Sequence, residues 1–72
     1  MTSVRAEMAA TVWKVVAQVG QQVGPDDVLV VLESMKMEIP VVAETRGTVR
    51  SLPAAEGSLV REGDVLAVIE DS

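Results

Sequence analysis

The sequence predicts an all-β protein, a flattened barrel or sandwich made from two related sets of short strands. The apolar runs are short and rich in Val, as is typical of buried strands, and Gly, Pro and Asp recur around them from Gly20 onward. The chain also aligns with itself when Thr11 is placed on Thr48, an offset of 37 residues. No helix of ~10 residues is expected between these breakers.

The internal alignment indicates a duplication. The matched residues are Thr11-Val12 with Thr48-Val49, Gly20 with Gly57, Val23 with Val60, Asp27-Val28-Leu29 with Asp64-Val65-Leu66, Val31 with Val68 and Glu33 with Glu70. We therefore expect one domain over residues 1–72, in which repeats of about residues 9–33 and 46–70 are related by a pseudo-twofold axis. A solenoid would need at least ~3 repeats.

The strands are assigned in chain order from β-branched and alternating segments. They are Lys14–Val16, Val28–Leu32, Met37–Ile39, Thr48–Arg50 and Val65–Ile69. Residues that break regular structure recur at Gly20, Gly24-Pro25-Asp26-Asp27, Pro40, Gly47, Pro53, Gly57 and Gly63-Asp64. Val28–Leu32 and Val65–Ile69 occupy equivalent places in the two repeats, so we expect them to form the centre of the core.

Composition narrows the possible functions. The chain has no Cys and no His, which removes disulfides, thiolate zinc sites and the commonest general base, and we expect no metal site and no catalytic residues. Its formal charge of −5, with only 6 Lys and Arg, argues against nucleic-acid binding. No apolar stretch approaches the ~20 residues of a membrane span and no export signal is evident. We expect a cytoplasmic monomer with no membrane association.

The segment around Lys36 is the candidate for a functional site. Lys36 lies between the first core strand and the next strand, whereas the second repeat ends just past the equivalent point. The duplication therefore predicts that Lys36 lies at an exposed hairpin tip, bracketed by Met35 and Met37. A tip lysine can simply be a solvated charge that discourages edge pairing, with the two Met residues filling core gaps. Flexible apolar side chains at an exposed turn fit that interpretation poorly. The residues alone therefore leave two interpretations open, a solvated surface lysine and a functional lysine.

Lys36 is better suited to accept a group than to catalyse. A nucleophilic lysine needs a desolvated amine and a pocket, but Glu33 and Glu38 flank this one and favour its charged form. We therefore expect an outside enzyme to supply activation and the base.

The segment resembles a known motif. Met35-Lys36-Met37, preceded by Glu33 and followed by Glu38–Val41, is similar to the Met-Lys-Met biotin attachment motif of biotinyl domains, the biotin carboxyl carrier protein family. Further matches follow the family pattern at Gly47-Thr48-Val49, Glu56-Gly57, Val60, Gly63-Asp64, Leu66 and Ile69, so the resemblance covers nearly all of residues 4–70. It implies the barrel-sandwich hybrid fold that biotinyl and lipoyl domains share.

The resemblance also implies a function. Biotin would be attached to Lys36 by a biotin protein ligase from biotinyl adenylate, with Met35 and Met37 read by the ligase or carboxylase and Glu33 presenting the turn. The biotin would shuttle a carboxyl group from a biotin carboxylase site to a carboxyltransferase site of a biotin-dependent carboxylase, most simply an acyl-CoA carboxylase of fatty acid metabolism. The protein would be a carrier and not an enzyme.

The sequence departs from the family pattern near its start. Ala9-Ala10 stand where Pro-Gly is usual, and Ala10 would cost stability if that position needed a positive φ. Ser34 replaces the usual Ala before Met35, and no protruding insertion or carboxylase domain is present. We therefore expect a free-standing biotinylated protein similar to those of actinobacteria, or an excised domain.

Two alternatives share the fold. Lipoyl domains usually have Asp-Lys-Ala at the tip, and neither flank of Lys36 matches; an unmodified interaction module would leave Lys36 without a role. Trp13, the only aromatic residue, is interpreted as a semi-buried packing residue in preference to a partner-binding anchor, and its equivalent Arg50 indicates a face that can reach solvent.

Overall fold

The computed structural model describes all 72 residues and contains eight β-strands and no helix, so no helix is present that could span a membrane. The strands are β1 (Thr2–Arg5), β2 (Ala10–Val15), β3 (Gln22–Val23), β4 (Val28–Ser34), β5 (Met37–Val42), β6 (Gly47–Ser51), β7 (Leu59–Val60) and β8 (Val65–Asp71). The all-β prediction is confirmed. The sequence patterns identified parts of β2, β4, β5, β6 and β8 but missed β1 and the two-residue strands β3 and β7.

The strands form two antiparallel four-stranded sheets. One has the order β5-β4-β2-β7 and is called the tip sheet; the other has the order β1-β8-β6-β3 and is called the terminal sheet. The 37-residue offset relates the sheets strand by strand, β1 to β5, β2 to β6, β3 to β7 and β4 to β8. Each sheet contains two strands from the first half of the chain and two from the second half, so neither half can complete a sheet alone.

The core between the sheets follows the same relation. Leu29 and its equivalent Leu66 are both fully buried. So are the pairs Leu32 and Ile69, Val12 and Val49, and Val30 and Ala67. No polar or charged side chain is buried, and all 15 buried hydrophobic residues form one cluster. Because these residues are small or medium-sized aliphatics, they can fill the thin space between two sheets that lie ~10 Å apart.

A β-bulge occurs at the same place in each sheet. Pairing between β2 and β4 skips Trp13, and pairing between β6 and β8 skips the equivalent Arg50. The extra residue in a bulge re-aims the side chains around it. Trp13 and Arg50 are both exposed, as is Lys14 beside Trp13. In the tip sheet the bulge therefore places two consecutive side chains, Trp13 and Lys14, on the outward face.

The departure at Ala10 has a structural explanation. Ala10 and its equivalent Gly47 both begin a strand and neither has a positive φ, so the strain expected of Ala10 is absent. Gly47 is needed for a different reason. A Cβ placed on it would lie 2.7 Å from Cγ2 of Ile69 and would also collide with the carbonyl oxygen of Glu70. Close packing against β8, and not an unusual φ, makes glycine necessary in β6.

Candidate functional site

The β4–β5 hairpin ends in a two-residue turn. Ser34 pairs with Met37, which leaves Met35 and Lys36 to reverse the chain. Their φ angles are 52° and 65°. Two positive φ values are the signature of a type I′ turn, whose twist matches that of the flanking strands. The structure thus places Lys36 at a hairpin tip, where the sequence predicts it.

Met35 and Lys36 are unusual residues for such a turn. Type I′ turns favour Asn-Gly because both central residues are left-handed, and each residue with a bulky side chain costs roughly 1–2 kcal/mol there. Backbone strain of this kind is concentrated at functional sites. The turn therefore holds two side chains that local backbone preference disfavours, which indicates a role outside folding.

The side chains at the tip extend into solvent. Met35 is 91% exposed and Met37 is 65% exposed, so the interpretation of the two Met residues as core fillers is wrong. Lys36 is also exposed and takes part in neither of the two ion pairs, which are Met1 with Asp71 and Arg50 with Glu70. Its amine is therefore free to meet an incoming reagent.

Glu33 and Glu38 lie directly behind the tip. They are cross-strand neighbours in the β4–β5 pairing and both are exposed. Like charges directly opposite each other destabilise a sheet. Neither carboxylate forms an ion pair, whereas Glu70, the equivalent of Glu33 in the terminal sheet, accepts a 2.9 Å hydrogen bond from Nη1 of Arg50. Next to the turn, β4 and β5 consequently each carry one carboxylate that has no cationic partner.

The main groove of the molecule lies elsewhere. It has a volume of about 510 Å³ and runs between the edge strands β1 and β5 and the segments that follow them. None of Glu33, Met35, Lys36 and Met37 lines it. No group of three or more acidic side chains is arranged to hold a metal ion. The tip therefore presents a group to other molecules and does not enclose one.

Trp13 lies in the half-buried environment that the sequence predicts. It is 48% exposed on the outward face of the tip sheet. The repeat contains the signal that identifies this. Its equivalent is Arg50, and a position that accepts arginine in one repeat faces solvent in both.

Comparison with known proteins gives a consistent result. Residues 2–69 match the sequence profile of the family described as "Biotin-requiring enzyme". The chain is 52% identical over 66 residues to the "Biotinylated protein TB7.3 homolog" of Mycobacterium leprae, covering 92% of this chain and 93% of that protein. It is 44% identical over 68 residues to the "Biotin-dependent acyl-coenzyme A carboxylase alpha3 subunit" of the same species, covering 94% of this chain.

Solved structures of carboxylases contain the same fold. The crystal structure of the Kluyveromyces lactis urea carboxylase contains a region that superposes with a TM-score of 0.90 and 35% sequence identity, covering 96% of this chain. The chain corresponds to 6% of that carboxylase and to 11% of the acyl-coenzyme A carboxylase subunit. Its similarity to these larger proteins is confined to one small part of each.

Proposed function

The chain belongs to the biotin-requiring enzyme family as a biotinyl domain, with covalently attached biotin as its cofactor, and from that premise we propose that Lys36 is the attachment residue. The observation that supports this assignment is the strained two-residue turn that lifts Lys36 out of the β4–β5 hairpin. The only other lysine, Lys14, lies within β2. A strand residue cannot enter a narrow active site as far as a hairpin tip can.

The attachment chemistry is a simple acyl transfer. The deprotonated amine of Lys36 attacks the acyl carbon of biotinyl adenylate, the amide C–N bond forms, and the bond from carbon to the phosphate oxygen of AMP breaks. AMP leaves, and the amine proton passes to a base. The biotin protein ligase supplies that base. The formal charge of the chain changes from −5 to −6.

The structure supports a carrier role. When bound, biotin carries a carboxyl group between a biotin carboxylase site and a carboxyltransferase site. The chain contributes a body of two hydrogen-bonded sheets whose strands come from both halves of the sequence. The Lys36 side chain extends from the turn at one end of that body. A tethered group on a flexible arm has a high effective concentration at each site that the arm can reach. We assign the acceptor to the acyl-CoA class, supported by the similarity to the acyl-coenzyme A carboxylase subunit.

The test is intact-mass analysis after incubation with purified biotin protein ligase, biotin and ATP. We expect one biotin per chain, located on Lys36 by peptide mapping. Lys36→Arg should abolish the adduct, and Lys14→Arg, the matched control, should leave it unchanged. Lys36→Ala should change the free energy of unfolding by no more than about 0.5 kcal/mol, since the side chain has no partner.

Two results would contradict the proposal. An adduct that persists in Lys36→Arg would place the attachment site elsewhere. A folded wild-type chain that accepts no biotin from an active ligase would reject biotin attachment, and incubation with a lipoate ligase would then test the lipoyl alternative directly.

A further inference from the structure

The outward faces of the two sheets differ although their cores are alike. On the tip sheet the exposed residues include Trp13 on β2 and Leu59 on β7, 48% and 81% exposed. Their equivalents on the terminal sheet are the polar residues Arg50 and Gln22. Pro40 on β5 is likewise exposed where β1 has Ser3. The tip sheet thus exposes apolar side chains at three positions where the same framework elsewhere exposes polar ones.

The charges differ in the same direction. On the terminal sheet, Arg50 neutralises Glu70. On the tip sheet, Trp13 takes the place of that arginine, and Glu33 is left without a cation. Glu38, opposite Glu33, adds a second uncompensated carboxylate. An apolar centre beside unpaired carboxylates is complementary to a protein surface that has an apolar pocket and nearby Arg or Lys side chains.

The strand pairing places these residues close to the tip. Leu59 pairs with Thr11, Thr11 with Glu33, and Glu33 with Glu38, which forms one row across the sheet. Neighbouring strands lie ~4.8 Å apart, so the row spans about 15 Å. The next pair along the hairpin, Ser34 with Met37, closes the turn. A partner seated on this row therefore has Lys36 within reach at its edge.

We propose that this outward face, called the docking face and comprising Trp13, Glu33, Glu38 and Leu59, binds the biotin protein ligase, which would present an apolar pocket to Trp13 and cationic side chains to Glu33 and Glu38. The inference rests on the proposed function and deepens it. An unmodified domain offers a ligase no biotin to recognise, so the ligase must select its lysine from the protein surface alone. Because the docking face and the turn belong to the same sheet, a ligase bound to this face lies next to Lys36.

The docking face also explains the choice between the two lysines. Lys14 and Lys36 are both exposed, so accessibility does not separate them. Lys14 pairs with Val31 and follows Trp13 directly, so it lies within the area that the ligase covers. Lys36 lies beyond the edge of that area, in the turn. Docking therefore buries one amine against the ligase and leaves the other free for the active site.

The experiment exchanges residues between the equivalent positions. Trp13→Arg with Leu59→Gln gives the tip sheet the side chains that the terminal sheet already holds at those places, so the fold should tolerate them. We expect kcat/KM for biotinylation by purified ligase to fall about tenfold or more, chiefly through KM. The matched control, Arg50→Ala with Gln22→Ala on the terminal sheet, should biotinylate at the wild-type rate. Thermal unfolding verifies that both variants are folded.

A second measurement tests the electrostatic part. Added salt should raise KM for the wild-type chain, and Glu33→Gln with Glu38→Gln should remove most of that dependence. If the tip-sheet variant folds but is biotinylated at the wild-type rate, the docking face is rejected while biotin attachment to Lys36 stands. If the wild-type chain itself accepts no biotin, the proposed function fails and the docking face with it. Should Trp13→Arg unfold the chain, Trp13→Ala provides the same comparison without a new charge.

Discussion

The two equivalent ends of the molecule are built differently. At one end, the β4–β5 hairpin reverses through Met35 and Lys36, closed by backbone pairing at Ser34. At the equivalent end, Asp71, the equivalent of Ser34, is held by side-chain hydrogen bonds and an ion pair. Its carboxylate accepts hydrogen bonds from the hydroxyls of Thr2 at 2.7 Å and Thr45 at 3.0 Å, and lies 3.3 Å from the amine of Met1.

The contrast shows how a duplicated framework can present a single site. The buried residues of the two halves are close equivalents, so the core imposes no difference between the ends. The difference lies in exposed residues: a strained turn and unpaired acids at one end, and a hydrogen-bonded carboxylate at the other. Function is therefore concentrated where the two halves diverge, and substitutions at equivalent positions can test this.

The largest effect is expected at the close contact between β6 and β8. Gly47→Ala should destabilise the fold by about 1–3 kcal/mol, since its new methyl group has no room beside Ile69 and Glu70. The equivalent exchange in the tip sheet, Ala10→Gly, should cost only about 0.5–1 kcal/mol through backbone flexibility. Urea unfolding measures both. Equal costs would show that the sheets pack alike at these positions and would contradict the assigned reason for Gly47.

A smaller effect of opposite sign is expected at the tip. Met35→Asn combined with Lys36→Gly replaces two left-handed residues with the pair that type I′ turns favour. The double variant should be more stable by about 1 kcal/mol, because relief of strain exceeds the extra flexibility of glycine in the unfolded chain. Urea unfolding measures the difference in the free energy of unfolding, provided that this free energy depends equally on urea concentration in the wild type and the variant. A variant no more stable than the wild type would show that the tip turn stores no strain.

The smallest effect is expected at the terminal end and depends on pH. Hydrogen bonds from Thr2 and Thr45, aided by the Met1 amine, hold the pKa of the Asp71 carboxyl below its ordinary value of 3.8. A lowered pKa in the folded state means that ionised Asp71 favours folding above pH ~4 and that this contribution is lost as pH falls through the folded pKa.

Asp71→Asn tests this directly. The variant should melt slightly below the wild type at pH 7, and the difference should vanish toward pH 2. Differential scanning calorimetry across this range measures it. A difference that is the same at both pH values would assign the effect to lost hydrogen-bond geometry and not to the charge.

The repeat and the chemistry of the tip were both accessible from sequence. Residue identities at a fixed offset do not depend on folding, and the Met-Lys-Met segment between two strand patterns is visible locally. Thr2–Arg5 was missed because its pattern is short and weak, and it becomes a strand only by pairing with residues 60 or more positions away. The half-exposed position of Trp13 was accessible from its equivalence to Arg50, whereas the bulge at Trp13 depends on the pairing of β2 with β4.

The sequence by itself determined the all-β class, the duplication and the place of Lys36 in a turn, since each follows from short-range periodicity, breakers and self-similarity. Only the tertiary structure decided that each sheet combines strands from both halves, that Gly47 is required by close packing, and that Trp13, Leu59 and two acids share one outward face. These features depend on which strands pair and in what register. Pairing of that kind is settled by burial of the shared core, to which distant residues contribute together and which no local segment specifies.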